Sequence, residues 1–377
     1  MAIEHIDGVL CPAADLAAFV RSLVAAAGID AASAEAVSRA LVDASSRGVD
    51  THGVRLAPWY LQMIEGGRVN RHPRLSFERK AAAVGHVDAD DGFGHGASYR
   101  AIEEGVAIAR ETGLAAITVG RSSHHGATGC YTLAAARQGF AAIGMTHADS
   151  AVVPFGGSKP FFGTNPISFA VPAPGEEPML LDMATSSIPA NRIMLRRATG
   201  VPLPPDVAVT VDGHATRDAG EATALLPLGG AGFGYKGAGL AAMVDVLCSA
   251  FTGMGHGATF APQGGPDFSQ PIPLGHFFLI LTPALFQAAE VFDARIGAML
   301  RDLREQPAHP GQRVMAPGDI EKAEATRRAR DGVPVDWTTW RALEAAAGHY
   351  ACAVPAWVPT APQASDTEAA AIRESAS

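Results

Sequence analysis

The chain has 377 residues, 48% of them apolar, and a formal net charge of −9. That length holds a large core and one to three domains. The acidic balance, with no basic stripe, excludes nucleic acid and an anionic membrane surface as expected partners.

Residues 13–27 read as an amphipathic helix, with Leu16, Phe19, Val20, Leu23 and Val24 on one face and Gly28 as its stop. A second helix is expected over 32–46, and a third, carrying Leu56, Tyr60 and Met63, up to Gly66. From residue 81 the pattern alternates between strand and helix. Strands are expected at 81–87, 114–119 and 141–146. Helices are expected around Ile102, Val106 and Ala109 and over 127–137. Residues 151–175 are rich in Gly and Pro, a short apolar strand lies within 176–190, and 198–235 reads as loop-rich. A helix over 236–251, a Gly/Pro loop over 253–273 and a strand over 277–281 follow, then helices over 286–304, 319–331 and 337–348. The tail from about Ala353 reads as disordered. The expected domains are a helical region (1–75), an α/β core (76–310), a C-terminal helical segment (311–352) and the tail (353–377).

The longest apolar stretch, 277–285, contains Thr282 and Pro283 and is too short to span a bilayer. The N-terminus shows no basic segment followed by an apolar one, so no signal peptide is expected. Cys11, Cys130, Cys248 and Cys352 are scattered without a CxxC, so reduced thiols and a cytoplasmic location are expected.

Two His-Gly segments stand out. One is Asp50-Thr51-His52-Gly53-Val54-Arg55-Leu56. The other, Ser122-Ser123-His124-His125-Gly126-Ala127, falls between a strand and the next helix, a favoured ligand position in α/β folds. Imidazole titrates near neutrality and can give or take a proton. Arg55 adds a planar fork suited to a carboxylate. Surface or core roles are the ordinary alternative for any histidine, and neighbouring motifs must decide.

Other patterns are weaker. Gly232 to Gly237 matches GxGxxG, but a turn leads into it and a helix and Gly/Pro loop follow, so a Rossmann reading fails on context. Lys236, at a helix start, could still hold an anion. Asp88, Asp90 and Asp91 precede Gly92 with the wrong spacing for a calcium loop. Adjacent His124 and His125 would chelate one metal poorly, no HExxH occurs, and no metal is expected. No GxSxG or Walker A is present. Gly163-Thr164-Asn165-Pro166 and Asp182-Met183-Ala184-Thr185-Ser186 read either as turns and caps or as donors around a ribose or phosphate.

Taken in order, these segments, with Val87-Asp88, Val153-Pro154-Phe155-Gly156-Gly157, Gly234-Tyr235-Lys236-Gly237 and Pro317-Gly318-Asp319, resemble the malate/L-lactate dehydrogenase family of the non-Rossmann type. The resemblance covers roughly residues 10–345. It implies an NAD- or NADP-dependent oxidoreductase with an α/β fold. That fold is a non-Rossmann nucleotide-binding one with a central mixed sheet, an N-terminal helical region and a C-terminal helical segment. It further implies a homodimer with the site between domains and subunits, and a small 2-hydroxy/2-keto acid or cyclic imino acid as substrate. His52 and His124 fall on acid/base positions, with Arg55 and Tyr60 near substrate. Gly163, Thr164 and Asn165 fall on the active-site floor. Ser122, Gly126, Ala148, Asp182, Met183, Ala184, Thr185, Lys236 and Pro317, Gly318 and Asp319 fall on cofactor contacts. The chain departs from the family pattern at Thr51, at the spacing of Arg55 from His52, at His125 and at Ala148. The rival readings are a nucleotide-binding relative without turnover and a histidine-based hydrolase or lyase.

Overall fold

A computed structural model of the chain describes residues 6–360. They form two compact units. One is Met63–Ile320; the other joins the described residues up to Gln62 to those from Glu321 onward. These boundaries differ from the expected ones after 75 and 310.

The larger unit is built on a seven-stranded sheet. Its strands in chain order are β1 (Ser76–Ala81), β2 (Val84–Asp88), β3 (Leu114–Ser122), β4 (Ala141–Thr146), β5 (Ile167–Val171), β6 (Met179–Met183) and β7 (Leu274–Leu281). Their spatial order is β1-β2-β3-β7-β4-β5-β6. Only β2 and β3 run parallel; every other neighbouring pair is antiparallel. The sheet is therefore mixed. The helix Gly94–Thr112 supplies the crossover that a parallel pair requires.

Alternation along the central strand β7 explains the layers. His276, Phe278 and Ile280 are wholly buried on one face. There a Cβ on Gly105 of the crossover helix would sit 2.6 Å from Ile280 Cδ1. Phe277 points the other way and packs with Ile143, Met145, Val244 and Cys248. Val244 lies in the last turn of the helix Tyr235–Asp245, which continues as one π-helical turn, Val246–Ala250. With both faces covered, the strands read as apolar runs rather than as a half-buried alternation.

The smaller unit packs the helix Ala13–Ala26 through Leu16, Phe19, Val20, Leu23 and Val24. The next helix, Ala31–Ser46, is capped by Asp30, whose carboxylate accepts from the amides of Ala32 and Ser33 at 3.0 Å. The strand Gly8–Cys11 lies between Val333–Asp336 and Val358–Pro359, antiparallel to both. Trp357 packs edge-on against Trp337 and Trp340. This corrects the expected tail: ordered chain continues to Thr360, because the last strand has a partner. Residues 361–377 of that expected tail lie outside the described residues.

Among the described residues no helix is long and apolar enough to cross a membrane. Cys11, Cys130, Cys248 and Cys352 are all free thiols.

Candidate active site

In the smaller unit, His52 ends the 3-10 turn Asp50–His52, and Arg55 lies in the next turn, Val54–Leu56. A Cβ on Gly53 would sit 2.1 Å from Ser45 Oγ, so only glycine fits. Ser45 Oγ also accepts the Val54 amide at 2.9 Å. Beneath the turn, the buried Arg328 guanidinium donates to both carboxylate oxygens of Asp50 and to Glu324 Oε2, the last at 2.9 Å. This paired fork fixes the backbone that carries His52.

Thr51 Oγ1 lies 3.1 Å from His52 Nδ1. The imidazole is half-buried, and desolvation lowers its pKa. Arg55 is exposed, with Nε 3.5 Å from Asp336 Oδ2. Tyr60 is wholly buried against Trp59, so it lies in the core rather than at a surface.

In the larger unit, β3 ends at Ser122 and the next helix, Gly129–Ala136, opens seven residues later. His124 lies in the intervening loop. Its Nδ1 accepts the Gly126 amide at 3.3 Å. An acceptor nitrogen carries no proton, so the neutral ring holds its proton on Nε2. Gly126 takes φ +72°, a left-handed conformation that glycine adopts without strain.

His125 turns inward and is buried. Its Nδ1 meets Ser98 Oγ at 2.9 Å and its Nε2 meets Thr128 Oγ1 at 3.0 Å. Tyr131 Oη donates to its carbonyl. The ring stacks on His276 with centroids 4.2 Å apart. His276 bridges Thr146 Oγ1 (2.7 Å) and Ser122 Oγ (2.8 Å). Burial, with His147 and His124 nearby, pushes His276 down to about 3, so it stays neutral. The two adjacent histidines thus separate by environment: His124 in the loop, His125 in the core.

Asn165 is fully buried at φ +39°. Its Oδ1 accepts the Ala148 amide at 3.2 Å and its Nδ2 donates to Ala241 O at 3.0 Å. The Ala148 amide is therefore engaged within the protein. A Cβ on Gly163 would lie 2.6 Å from both Ala148 O and Asn165 Oδ1. Thr164 O accepts both the amide and the hydroxyl of Thr185, at 2.9 and 3.1 Å. The Leu228 amide donates to Thr185 O, and a Cβ on Gly237 would sit 2.3 Å from that same Leu228 nitrogen. Backbone contacts thus join the 163–165, 182–185 and 234–237 segments.

Asp182 accepts the Gly129 amide at 2.8 Å, at the positive end of the helix Gly129–Ala136. Met183 and Ala184 are half-buried. Lys236 is exposed in the first turn of its helix, 5.4 Å from the Phe233 ring and 5.9 Å from the Tyr235 ring. It forms no ion pair among the described residues, so its charge is available to an anion. Pro317 O accepts from the Leu180 amide at 3.4 Å, and Gly318 takes φ +90°. Asp319 instead pairs with Arg304 at 2.6 Å and accepts the Ala316 amide at 2.8 Å. Its carboxylate is committed to the turn itself.

The structure also explains the decoys. Asp88, Asp90 and Asp91 all meet Arg121, at 3.1, 2.9 and 3.0 Å. The GxGxxG segment follows the two-residue strand Ala224–Leu225, outside the main sheet, and begins inside the one-turn helix Gly230–Phe233.

Sequence reasoning missed the buried imidazoles His95, His147 and His276. A signal was present: Gly94-His95-Gly96 is a third His-Gly segment, and Gly275-His276 interrupts an apolar strand. His147 Nε2 accepts the Gly275 amide at 2.9 Å and its Nδ1 lies 3.8 Å from Asp245 Oδ1. Burial holds His147 down at about 3 and pushes Asp245 up to about 6, against the pull of the Asn165 amide and His256.

A mixed sheet flanked by helices, with loop histidines, glycine-shaped turns and an available lysine, defines an oxidoreductase of hydroxy acids once it is set beside known proteins. The malate/L-lactate dehydrogenase family model matches residues 11–344, and the chain belongs to that family. It is 33% identical to a malate dehydrogenase of Pyrococcus abyssi, over 86% of this chain and 90% of that protein. It is 35% identical to a (2R)-3-sulfolactate dehydrogenase (NADP(+)) of Chromohalobacter salexigens, over 76% of this chain and 85% of that protein. The solved malate dehydrogenase of Pyrococcus horikoshii OT3 superposes with a TM-score of 0.84 at 28% identity, covering 93% of this chain and 98% of that one. The protein is thus an oxidoreductase of the malate/L-lactate dehydrogenase kind.

Proposed function

We propose that this dehydrogenase interconverts a small 2-hydroxy acid of the malate or lactate kind and its 2-keto acid, with histidine moving the proton; a cyclic imino acid is the second substrate class. The observation that carries the reading is the glycine-shaped turn that holds a half-buried His52, its pKa lowered by desolvation, three residues before the exposed Arg55 fork; the Gly126 amide leaves the proton of neutral His124 on Nε2. When bound, the nicotinamide cofactor supplies or accepts the hydride. Lys236 and the backbone of Gly163, Met183, Ala184 and Gly318 fit its anionic and polar groups, with Gly126 and Pro317 shaping the turns beside them through an amide and a carbonyl that already bond within the protein. Ser122, Ala148, Asp182, Thr185 and Asp319 take a supporting part, since each already bonds within the protein.

The chain's own chemistry is acid/base and positional. In oxidation a neutral imidazole takes the proton from the substrate hydroxyl; in reduction the imidazolium returns it. His52 is assigned as the direct proton carrier and His124 as a second acid/base or orienting group. Desolvation lowers the His52 pKa, which keeps it neutral and basic at pH 7. Oxidation is therefore expected to hold its rate from pH 8 to below 6.5 and then fall. Arg55 binds the substrate carboxylate as a fork, with Thr164 as a further substrate contact and Tyr60 packing beneath; Asn165, expected from the sequence as a substrate contact, is instead buried with its amide committed to Ala148 and Ala241, and so positions that floor. A homodimer and a cytoplasmic location complete the reading, supported by the family resemblance and the free thiols.

A panel of 2-keto acids and cyclic imines with NADH and NADPH, followed at the nicotinamide absorbance, tests this. Turnover with one acid class is the expected outcome. Nucleotide binding without turnover on any of them would identify an inactive relative. Absence of nucleotide binding would point to the hydrolase or lyase reading.

A further inference from the structure

The helix Ala190–Thr199 ends in Arg196 and Arg197, and a turn beyond the short strand Ala215–Thr216 brings Arg217 to the same place. The three side chains line a cleft of about 460 Å³. Val201, Pro202 and Ala219 give it apolar walls. Its size falls in the range of small-ligand sites.

The Arg197 and Arg217 guanidinium groups are held by neutral acceptors. Arg197 donates through Nε to Ala219 O at 2.9 Å and through Nη2 to Ala222 O at 3.0 Å. Arg217 Nε donates to Leu203 O at 3.0 Å, and Arg196 donates to Pro202 O. A carbonyl fixes a guanidinium in place but leaves its charge intact, and arginine does not deprotonate in proteins. Neither Arg197 nor Arg217 forms an ion pair among the described residues. One carboxylate, Asp218, lines the same cleft, and its Oδ1 accepts the Gly220 amide at 2.7 Å. Two fixed positive charges, those of Arg197 and Arg217, thus face the Asp218 carboxylate in a chain of net charge −9, with the Arg196 guanidinium beside them. Favourable placement at a helix C-terminus accounts for Arg196 and Arg197. It does not account for Arg217, which reaches the cleft from another segment.

We infer that this cleft is a binding site for a compact polyanion carrying at least two negative charges, as phosphate or as clustered carboxylates, separate from the catalytic machinery. The forks of Arg197 and Arg217 would grip its oxygens and the apolar walls would cover its organic part.

Calorimetric titration of the full chain with inorganic pyrophosphate and with citrate tests the inference. Binding of one anion per chain is expected, weakened at least tenfold in Arg217→Ala and in Arg197→Ala. NADH and NADPH binding should be unchanged in both variants. Arg217→Lys keeps the charge without the fork and should fall between wild type and Arg217→Ala, which keeps the test usable if an alanine variant folds poorly. Tighter pyrophosphate identifies a phosphate ligand and tighter citrate a polycarboxylate. The inference is overturned if neither anion binds at millimolar concentration, if the variants bind as wild type does, or if saturating NADH or NADPH displaces the anion.

Discussion

The two histidine segments are held by opposite physics. The His52 turn rests on charge: Arg328 is paired with Asp50 and Glu324 and is only 1% exposed. The His124 loop rests on neutral groups, the hydroxyls of Ser98, Thr128, Ser122, Thr146 and Tyr131 around two imidazoles. A buried ion pair is a poor source of net stability but is costly to break. A neutral network tolerates salt, yet fails once its imidazoles must take up protons. The first should respond mainly to mutation of one partner and the second mainly to acid.

Acid should produce the largest effect. His147 and His276, both held at about 3, bind protons less readily folded than unfolded. Their contribution is complete above pH 6.5 and is lost as pH falls toward 3. Each pH unit removes about 1.4 kcal/mol per imidazole, up to about 5 kcal/mol each. Urea melts from pH 8 to pH 4 should show stability dropping below pH 6.5, and less steeply in His276→Gln. An unchanged slope in that variant would break the neutral-network account.

Next in size is Arg328→Ala, which strands Asp50 and Glu324. It is expected to cost about 3–5 kcal/mol, read as a lower urea midpoint. Loss confined to peripheral stability, below about 1 kcal/mol, would place the pair among ordinary surface ion pairs.

Asp245 is the exception inside the neutral region, a 6% exposed carboxylate beside His147. Its raised pKa, about 6 against 3.8 unfolded, makes the folded state less stable as pH climbs from about 4 to 6. Asp245→Asn removes that penalty and should stabilise the protein at pH 8 by up to about 3 kcal/mol, with little gain at pH 4.

Much of this architecture was legible in the chain. The strand Ala141–Thr146 and the helix Asp319–Asp331 lie where apolar pattern and turn residues put them. The edge strand Ser76–Ala81 was missed because almost all of its side chains are exposed, leaving no alternation to read. The strand Ile167–Val171 was hidden by flanking Gly and Pro. The crossover helix starts at Gly94, well before its apolar stripe, and that start was hidden because Gly94, His95, Ala97 and Ser98 are buried though none is a large apolar residue. At the site, glycine marked both histidine turns. The Arg328–Asp50 fork was illegible because 278 residues separate its partners. Gly275-His276 marked a break in an apolar strand, but the bridging role of His276 was illegible because its partners, Thr146 and Ser122, come from two other strands. Asp182 and Asp319 are also cases where a motif residue turned out to bond within the protein.

The central claim is that His52 and His124 move and orient the proton. It is tested most directly by single-turnover rates of His52→Asn and His124→Asn with saturating NADH or NADPH and the preferred acid. The account predicts a fall of about 10²–10⁴-fold for His52→Asn, a smaller fall for His124→Asn, and cofactor binding unchanged in the first. Near-normal turnover in both variants with cofactor bound would contradict it.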